Sequence, residues 1–245
     1  ADWRALGFDQ IQNADDLLIT RQVVRERREG LGVPVLAKRR LAEHDAIWRH
    51  YGPRQAAFAA SALIRPSFGA TPSHWRSKPV ELVLHDPFRD GDAAPTLGGG
   101  AVPIAWDLTA PMVDRLTEFP MLAYQYLGIV SRSYYLGRTG IYAVDPYQPG
   151  KIPFVLFQGL WSSPDEWTPM LNPLRSDPVL RDRFQFWVAL YPSGYVPPLA
   201  VLSLRRALRE IRDRFDPTHN DNALDRMVIL GKSSGGLFAK MLVQS

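Results

Sequence analysis

Met227-Val-Ile-Leu-Gly-Lys-Ser-Ser-Gly-Gly236, preceded by Arg226 and followed by Leu237-Phe-Ala-Lys-Met-Leu-Val243, decides how this chain folds. Met227 to Leu230 form a short apolar run of strand type, and Leu237 to Val243 read as a helix. Between them, Gly231-Lys232-Ser233-Ser234-Gly235 is a G-x-S-x-G turn. With glycine and serine each near roughly 7% of residues, chance gives that pattern about 0.08 times in a chain of this length. The letters alone are therefore a modest signal, and the context carries the weight. A strand, a sharp turn and a helix lift a serine hydroxyl clear of the top of a sheet, as a nucleophilic serine requires. The competing interpretation is a glycine-rich turn without chemistry, or one whose N–H groups cradle a phosphate.

Upstream, the same alternation of elements continues. Ile152-Pro-Phe-Val-Leu-Phe157 is a continuous apolar run of the kind expected in a parallel strand buried on both faces. Ser162-Ser163-Pro164-Asp165-Glu166 marks a helix start, with Ser163 as N-cap, Pro164 at the first helical position and Glu166 completing a capping box. Phe184 to Leu190 makes a second strand, closed by Tyr191-Pro192-Ser193-Gly194. Leu204, Leu208, Ile211 and Phe215 follow at helical spacing, and Asp216 to Asn222 form a polar loop before the third strand. Strand, helix, strand, helix, strand, serine turn, helix is half of a doubly wound α/β sheet.

Residues 1–149 read differently, as an accessory mixed α+β region. Ile11 to Glu29 are expected as a helix, introduced by Asp15-Asp16 and stopped at Gly30-Leu31-Gly32. Val80 to His85 alternate like a strand of a mixed or antiparallel sheet, and Ala110 to Ser131 are expected as a helix interrupted at Pro120. Asp145-Pro-Tyr-Gln-Pro-Gly150 is a turn-rich junction that places the boundary between residues 149 and 150.

Composition narrows the function classes. A chain of 245 residues with 46% hydrophobic residues is globular and buries a sizeable core. The net charge of +4 is spread along the sequence rather than gathered into one tract. Arg206–Glu210 and Glu210–Arg214 are spaced i,i+4, so that basic stretch reads as a solvated helix face, and no nucleic-acid partner is expected. The absence of cysteine excludes disulfides, thiolate zinc sites and a cysteine nucleophile. No apolar run approaches the roughly 20 residues that span a bilayer. Gly98-Gly99-Gly100 lacks the Lys-Ser/Thr of a phosphate loop and the spacing of a dinucleotide fingerprint. His44-Asp45, His85-Asp86, His50 and His74 lack metal-ligand spacing and read as structural or surface histidines.

A second constellation, Phe157-Gln158-Gly159-Leu160-Trp161, directly follows the Ile152–Phe157 strand. Acyl transfer through serine needs two backbone N–H groups aimed at the oxyanion of the tetrahedral intermediate. One belongs to the residue after the nucleophile, here Ser234. The other comes from a glycine-containing loop after an earlier strand, here the N–H of Leu160. A bare strand-exit turn is the alternative for Gln158-Gly159.

Taken together, Lys151 to Leu160 through Trp167, Tyr191 to Gly194, and Met227 to Gly236 resemble the lipase/esterase-like α/β-hydrolase family of bacteria, over roughly residues 140–245. The resemblance implies an α/β-hydrolase fold and a serine hydrolase acting on carboxylic esters of small molecules or lipids. It implies Ser233 as nucleophile, with Gly231, Lys232 and Gly235 shaping its turn, and no cofactor. Two residues depart from the family: Gln158 stands where His is usual before Gly159, and Lys232 where His precedes the serine. Glutamine retains the capacity to brace the loop by hydrogen bonds, while Lys232 sets a cation beside the nucleophile, where it would tune the serine or the charge preference for substrate. The family's acid and histidine follow the serine, and no His, Asp or Glu follows Ser233 here. The expectation is therefore that residues 150–245 are the first half of the catalytic domain. That half is expected to show no turnover by itself, to expose an association-prone sheet edge, and to depend on a completing segment or oligomer partner. The other class in play is a non-catalytic interaction or scaffold protein that keeps the fold. The start at Ala1-Asp2-Trp3 is expected to be processed or trimmed, which leaves the bacterial cytoplasm and the cell envelope both open.

Overall fold

The computed structural model describes residues 7–19, 24–40, 55–66, 80–88, 96–97, 100–116, 139–192 and 197–244. In chain order its strands are β1 Gln10–Asn13, β2 Arg27–Arg28, β3 Val33–Arg40, β4 Gln55–Pro66, β5 Val80–His85, β6 Thr96–Leu97, β7 Gly100–Ala101, β8 Trp106–Asp107, β9 Gly140–Ala143, β10 Ile152–Phe157, β11 Phe184–Leu190 and β12 Val228–Gly231. Its helices are α1 Thr109–Leu116, α2 Thr168–Ser176, α3 Pro178–Arg183, α4 Pro197–Phe215 and α5 Ser234–Val243. Short 3-10 turns occupy Ala14–Asp16, Pro164–Trp167 and Leu224–Arg226.

The C-terminal sheet has the order β12-β10-β11-β9. β10 pairs in parallel with both β11 and β12, so that Phe157 lies opposite Ala189 on one side and Gly231 on the other. β9 closes the far side antiparallel to β11. Alternate residues of β10 and β11 serve opposite faces, and both faces are covered. Val155, Phe157, Trp187 and Ala189 join Leu204 and Ile211 of α4 and Phe238 of α5 in one cluster. Leu156, Phe186, Val188 and Leu190 pack on the other face with Trp167 and with Leu171 of α2. Burial on both faces is why β10 is an unbroken apolar run, and β11 one apart from Gln185, rather than alternating. Among the described residues β12 pairs only with β10, and its Val228 and Leu230 remain 39% and 38% exposed.

The N-terminal residues build a four-stranded sheet of order β1-β3-β4-β5, antiparallel throughout. This corrects the helix expected over Ile11 to Glu29. Gln10 to Asn13 instead pair with Val35 to Lys38 as an edge strand. The Asn13 side chain then accepts a 3.0 Å hydrogen bond from the Asp15 N–H and turns the chain into a single 3-10 turn. Arg27–Arg28 pair with Trp106–Asp107. The deciding partners lie far off in sequence and override a weak local helical preference. The strand expected at Val80–His85 is present as β5. The helix expected from Ala110 begins at Thr109 and is described to Leu116, so Pro120 and the stretch to Ser131 lie outside the described residues. The same holds for Gly98, Gly99, His44, His50, His74, Ser193 and Gly194.

Three buried polar side chains stitch the two regions together. Arg115 of α1 donates through Nη2 to the carbonyls of Ala143 and Val144 beside β9. Asn172 of α2 donates to the Val24 carbonyl at 2.6 Å. Arg175 of α2, 1% exposed, donates to the Leu108 carbonyl and grips Asp145 with Nε and Nη2 at 2.8 and 2.5 Å. β9 also lies ahead of the turn-rich junction at Asp145–Gly150, so the C-terminal sheet draws a strand from before residue 150. The junction is pinned by Asp221, which accepts from the Tyr147 hydroxyl and the Gly150 N–H. Burial works to raise the Asp221 carboxyl, but those bonds and one from the Ala223 N–H outweigh it and hold the group below its ordinary value.

Removing one member of a buried ion pair strands the other charge. Asp145→Ala is expected to lower the unfolding free energy by about 3–5 kcal/mol, read from urea midpoints at unchanged slope. A loss below about 1 kcal/mol would mean that the pair is worth no more than a surface one.

Candidate functional site

The serine turn is built by two close approaches. A Cβ placed on Gly231 would lie 2.4 Å from backbone atoms of Gly235 and Gly236. One placed on Gly235 would lie 2.4 Å from the Phe157 carbonyl oxygen and 2.6 Å from that of Gln158. Neither position has room for any side chain, so α5 starts against the end of β10. The Lys232 N–H donates to the Phe157 carbonyl at 3.0 Å, which extends the β10–β12 ladder to the edge of the turn. The chain must then reverse within one residue. Ser233 does so at φ 54°, ψ −121°, and its side chain is exposed. A non-glycine residue in that region costs on the order of 1–3 kcal/mol and persists only where its surroundings enforce it. α5 begins immediately afterwards, with the Gly236 N–H bonded to the Ser233 carbonyl at 3.0 Å.

The loop after β10 lies alongside. Gln158 is fully buried, its Nε2 donates to the Tyr191 carbonyl at 3.0 Å, and the Tyr191 hydroxyl donates back to the Gln158 carbonyl. Burial pushes the Tyr191 phenol far above its ordinary value, so this donor keeps its proton at any working pH. The reciprocal pair locks the loop to the end of β11, so Gln158 braces the loop from within the core. A Cβ on Gly159 would sit 3.5 Å from both the Ser233 Cβ and the Lys232 carbonyl oxygen, which brings the loop against the serine turn. Two turn residues follow, Leu160 at 51% and Trp161 at 53% exposure, the second at φ 58°. Among the described residues, neither the Leu160 N–H nor the Ser234 N–H donates to a protein acceptor. The buried Gln158 Oε1 and Ser234 Oγ also lack partners there.

Glu166 is the residue at this site that the sequence did not reveal. The expected capping box does not form. Ser163 donates its hydroxyl to Asp165, makes no side-chain cap bond, and starts a 3-10 turn. Glu166 turns instead toward the serine. Its Oε1 accepts from the Gly159 N–H at 3.3 Å, and its Oε2 meets the Lys232 ammonium at 2.5 Å. The cation expected beside the nucleophile is thus paired with a carboxylate. No local pattern signals this, because the partners are separated by 66 residues. The only hint was a cation in the serine turn with no carboxylate near it in sequence.

No side chain among the described residues hydrogen-bonds the Ser233 hydroxyl. His219 lies exposed on the loop after α4, where Nδ1 accepts from Arg212 at 3.3 Å, and His85 belongs to β5 in the other sheet. Among the described residues no cluster of His, Cys, Asp and Glu is arranged to hold a metal, and no helix is long and apolar enough to cross a membrane. Compared with known proteins, the chain matches no family model, no curated protein and no solved structure.

The two kinds of glycine contact predict opposite outcomes. Gly235→Ala drives a methyl into the Phe157 carbonyl and is expected to cost at least about 1–3 kcal/mol as an overpacking clash. Gly159→Ala meets only van der Waals neighbours at a position without positive φ, and is expected to be neutral or stabilising by up to about 1 kcal/mol. Thermal melts of the two variants beside the parent check this, and equal losses would mean that the β10–α5 approach is looser than described.

Proposed function

We propose that this chain carries the nucleophile of a serine hydrolase acting on carboxylic esters, set in an α/β-hydrolase sheet, with Ser233 as the attacking residue. One observation carries the proposal: Ser233 is held at φ 54°, ψ −121°, exposed, between a parallel strand and a helix whose contact admits no side chain at Gly231 or Gly235. An ordinary strand-to-helix turn needs no such strain.

In the reaction, the Ser233 oxygen adds to the acyl carbon and the carbonyl electrons move onto oxygen. The Leu160 and Ser234 N–H groups, which have no acceptor among the described residues, hydrogen-bond the resulting oxyanion. Collapse of the intermediate expels the alkoxide, which takes up the proton that the base removed from Ser233, and leaves an acyl-serine, which water then hydrolyses. Gln158 and Tyr191 hold the donor loop in place throughout. The proton of Ser233 needs a base, which in this chemistry is a histidine oriented by a carboxylate. A second reading, an interaction or scaffold protein that keeps the fold, is favoured by one specific observation: no base contacts the Ser233 hydroxyl among the described residues.

A single-hit reagent separates the two readings without demanding turnover. An alkyl fluorophosphonate, followed by intact mass, is expected to modify the folded chain once, at Ser233, and to leave Ser233→Ala untouched. The folded chain should react about 10²–10³-fold faster than the urea-unfolded chain, the range that oxyanion donors contribute. Equal rates for folded and unfolded chains would overturn the hydrolase reading in favour of the scaffold.

A further inference from the structure

Lys232 and Glu166 form a bridge across the site that an oxyanion mechanism does not by itself require. Glu166 is held on the 3-10 turn Pro164–Trp167, and its side chain is only 15% exposed, against 61% for Lys232. One carboxylate oxygen takes the Gly159 N–H and the other takes the Lys232 ammonium. The carboxylate therefore touches both halves of the candidate site, the loop after β10 and the serine turn. A methyl placed on Gly159 would in turn come within van der Waals reach of the Ser233 Cβ.

Two physical consequences follow. With its N–H already given to a carboxylate, Gly159 is withdrawn as an oxyanion donor, whereas the Leu160 N–H has no acceptor among the described residues. A carboxylate bonded to both the loop and the serine turn would oppose an oxyanion forming at Ser233. Lys232 cancels that charge while leaving the acceptor oxygen in place. We propose that Glu166 is a positioning residue of the Ser233 site, fixing the donor loop through Gly159, and that Lys232 serves to neutralise Glu166 rather than to attract a charged substrate. This rests on the proposed role of Ser233.

The charge argument predicts a particular non-additivity. Lys232→Met strands the Glu166 charge beside the oxyanion and is expected to slow fluorophosphonate modification of Ser233 by about tenfold. Adding Glu166→Gln removes that charge but keeps an acceptor for the Gly159 N–H, and is expected to recover most of the loss. Adding Glu166→Ala instead removes the acceptor as well and recovers little. If Lys232→Met and its Glu166→Gln double variant react at the same slowed rate, or if Lys232→Met is not slowed, the proposal is overturned. Amide hydrogen exchange at Gly159 gives a second readout that does not depend on reactivity. Protection is expected in the parent and in Glu166→Gln, and faster exchange in Glu166→Ala; equal exchange in all three overturns the positioning role. Should the parent not react at Ser233 at all, the hydrolase reading fails, and the exchange result alone decides whether Glu166 holds the loop.

Discussion

The contact between Gly235 and the Phe157 and Gln158 carbonyls is the constraint on which the site depends. It brings the first turn of α5 directly onto the end of β10, closer than any side chain would permit. From that approach follow the reversal at Ser233, the exposure of its hydroxyl and the nearness of Gly159. The cost of the strained residue is met by the packing around it. Phe157 is buried in the sheet, and Phe238 anchors α5 on the same face, edge to face with Tyr191 at 5.0 Å. Tyr191 also holds the Gln158 loop, so one aromatic side chain couples the helix to the loop that faces the serine.

Electrostatics at the site are arranged by pairing rather than by isolated charge. Several buried charges have a complement: Arg175 with Asp145, Lys38 with Asp114 at 2.6 Å, and Asp107 with Arg25 at 2.5 Å, while Arg115 and Asp216 bond to backbone carbonyls and N–H groups. Asp107 also caps α1 through the Thr109 and Ala110 N–H groups. The Glu166–Lys232 pair repeats this economy at the serine turn. The buried pairs add little net stability over apolar packing, and the half-exposed Glu166–Lys232 pair less still. Their effect is to hold defined geometry, here between elements brought together from distant parts of the chain.

The elements legible in the sequence are those specified locally. Ile152–Phe157 and Phe184–Leu190 stand out as strands because burial on both faces leaves them apolar, with Gln185 the one polar residue, bonded to the Gln148 and Lys151 carbonyls. The serine turn is legible because its glycines answer a steric demand within five residues. The Ile11–Glu29 stretch misleads because its fate is set by pairing with Val35–Lys38 and Trp106–Asp107, which no local pattern encodes; Leu18 within it is 95% exposed. Glu166 was hidden for a similar reason. Its spacing from Ser163 satisfies the capping pattern, yet Gly159 and Lys232 compete for the same carboxylate and win.

The account stands on the claim that Ser233 and the N–H groups of Leu160 and Ser234 surround one reacting centre. The most direct measurement is a crystal structure of the protein with an arylboronic acid, which becomes tetrahedral when it bonds to a serine oxygen. Boron bonded to the Ser233 oxygen, with one boronate oxygen within about 3 Å of both the Leu160 and Ser234 nitrogens, is the predicted result. Boron bonded elsewhere, or bonded to Ser233 with its oxygens turned away from those two N–H groups, would contradict it.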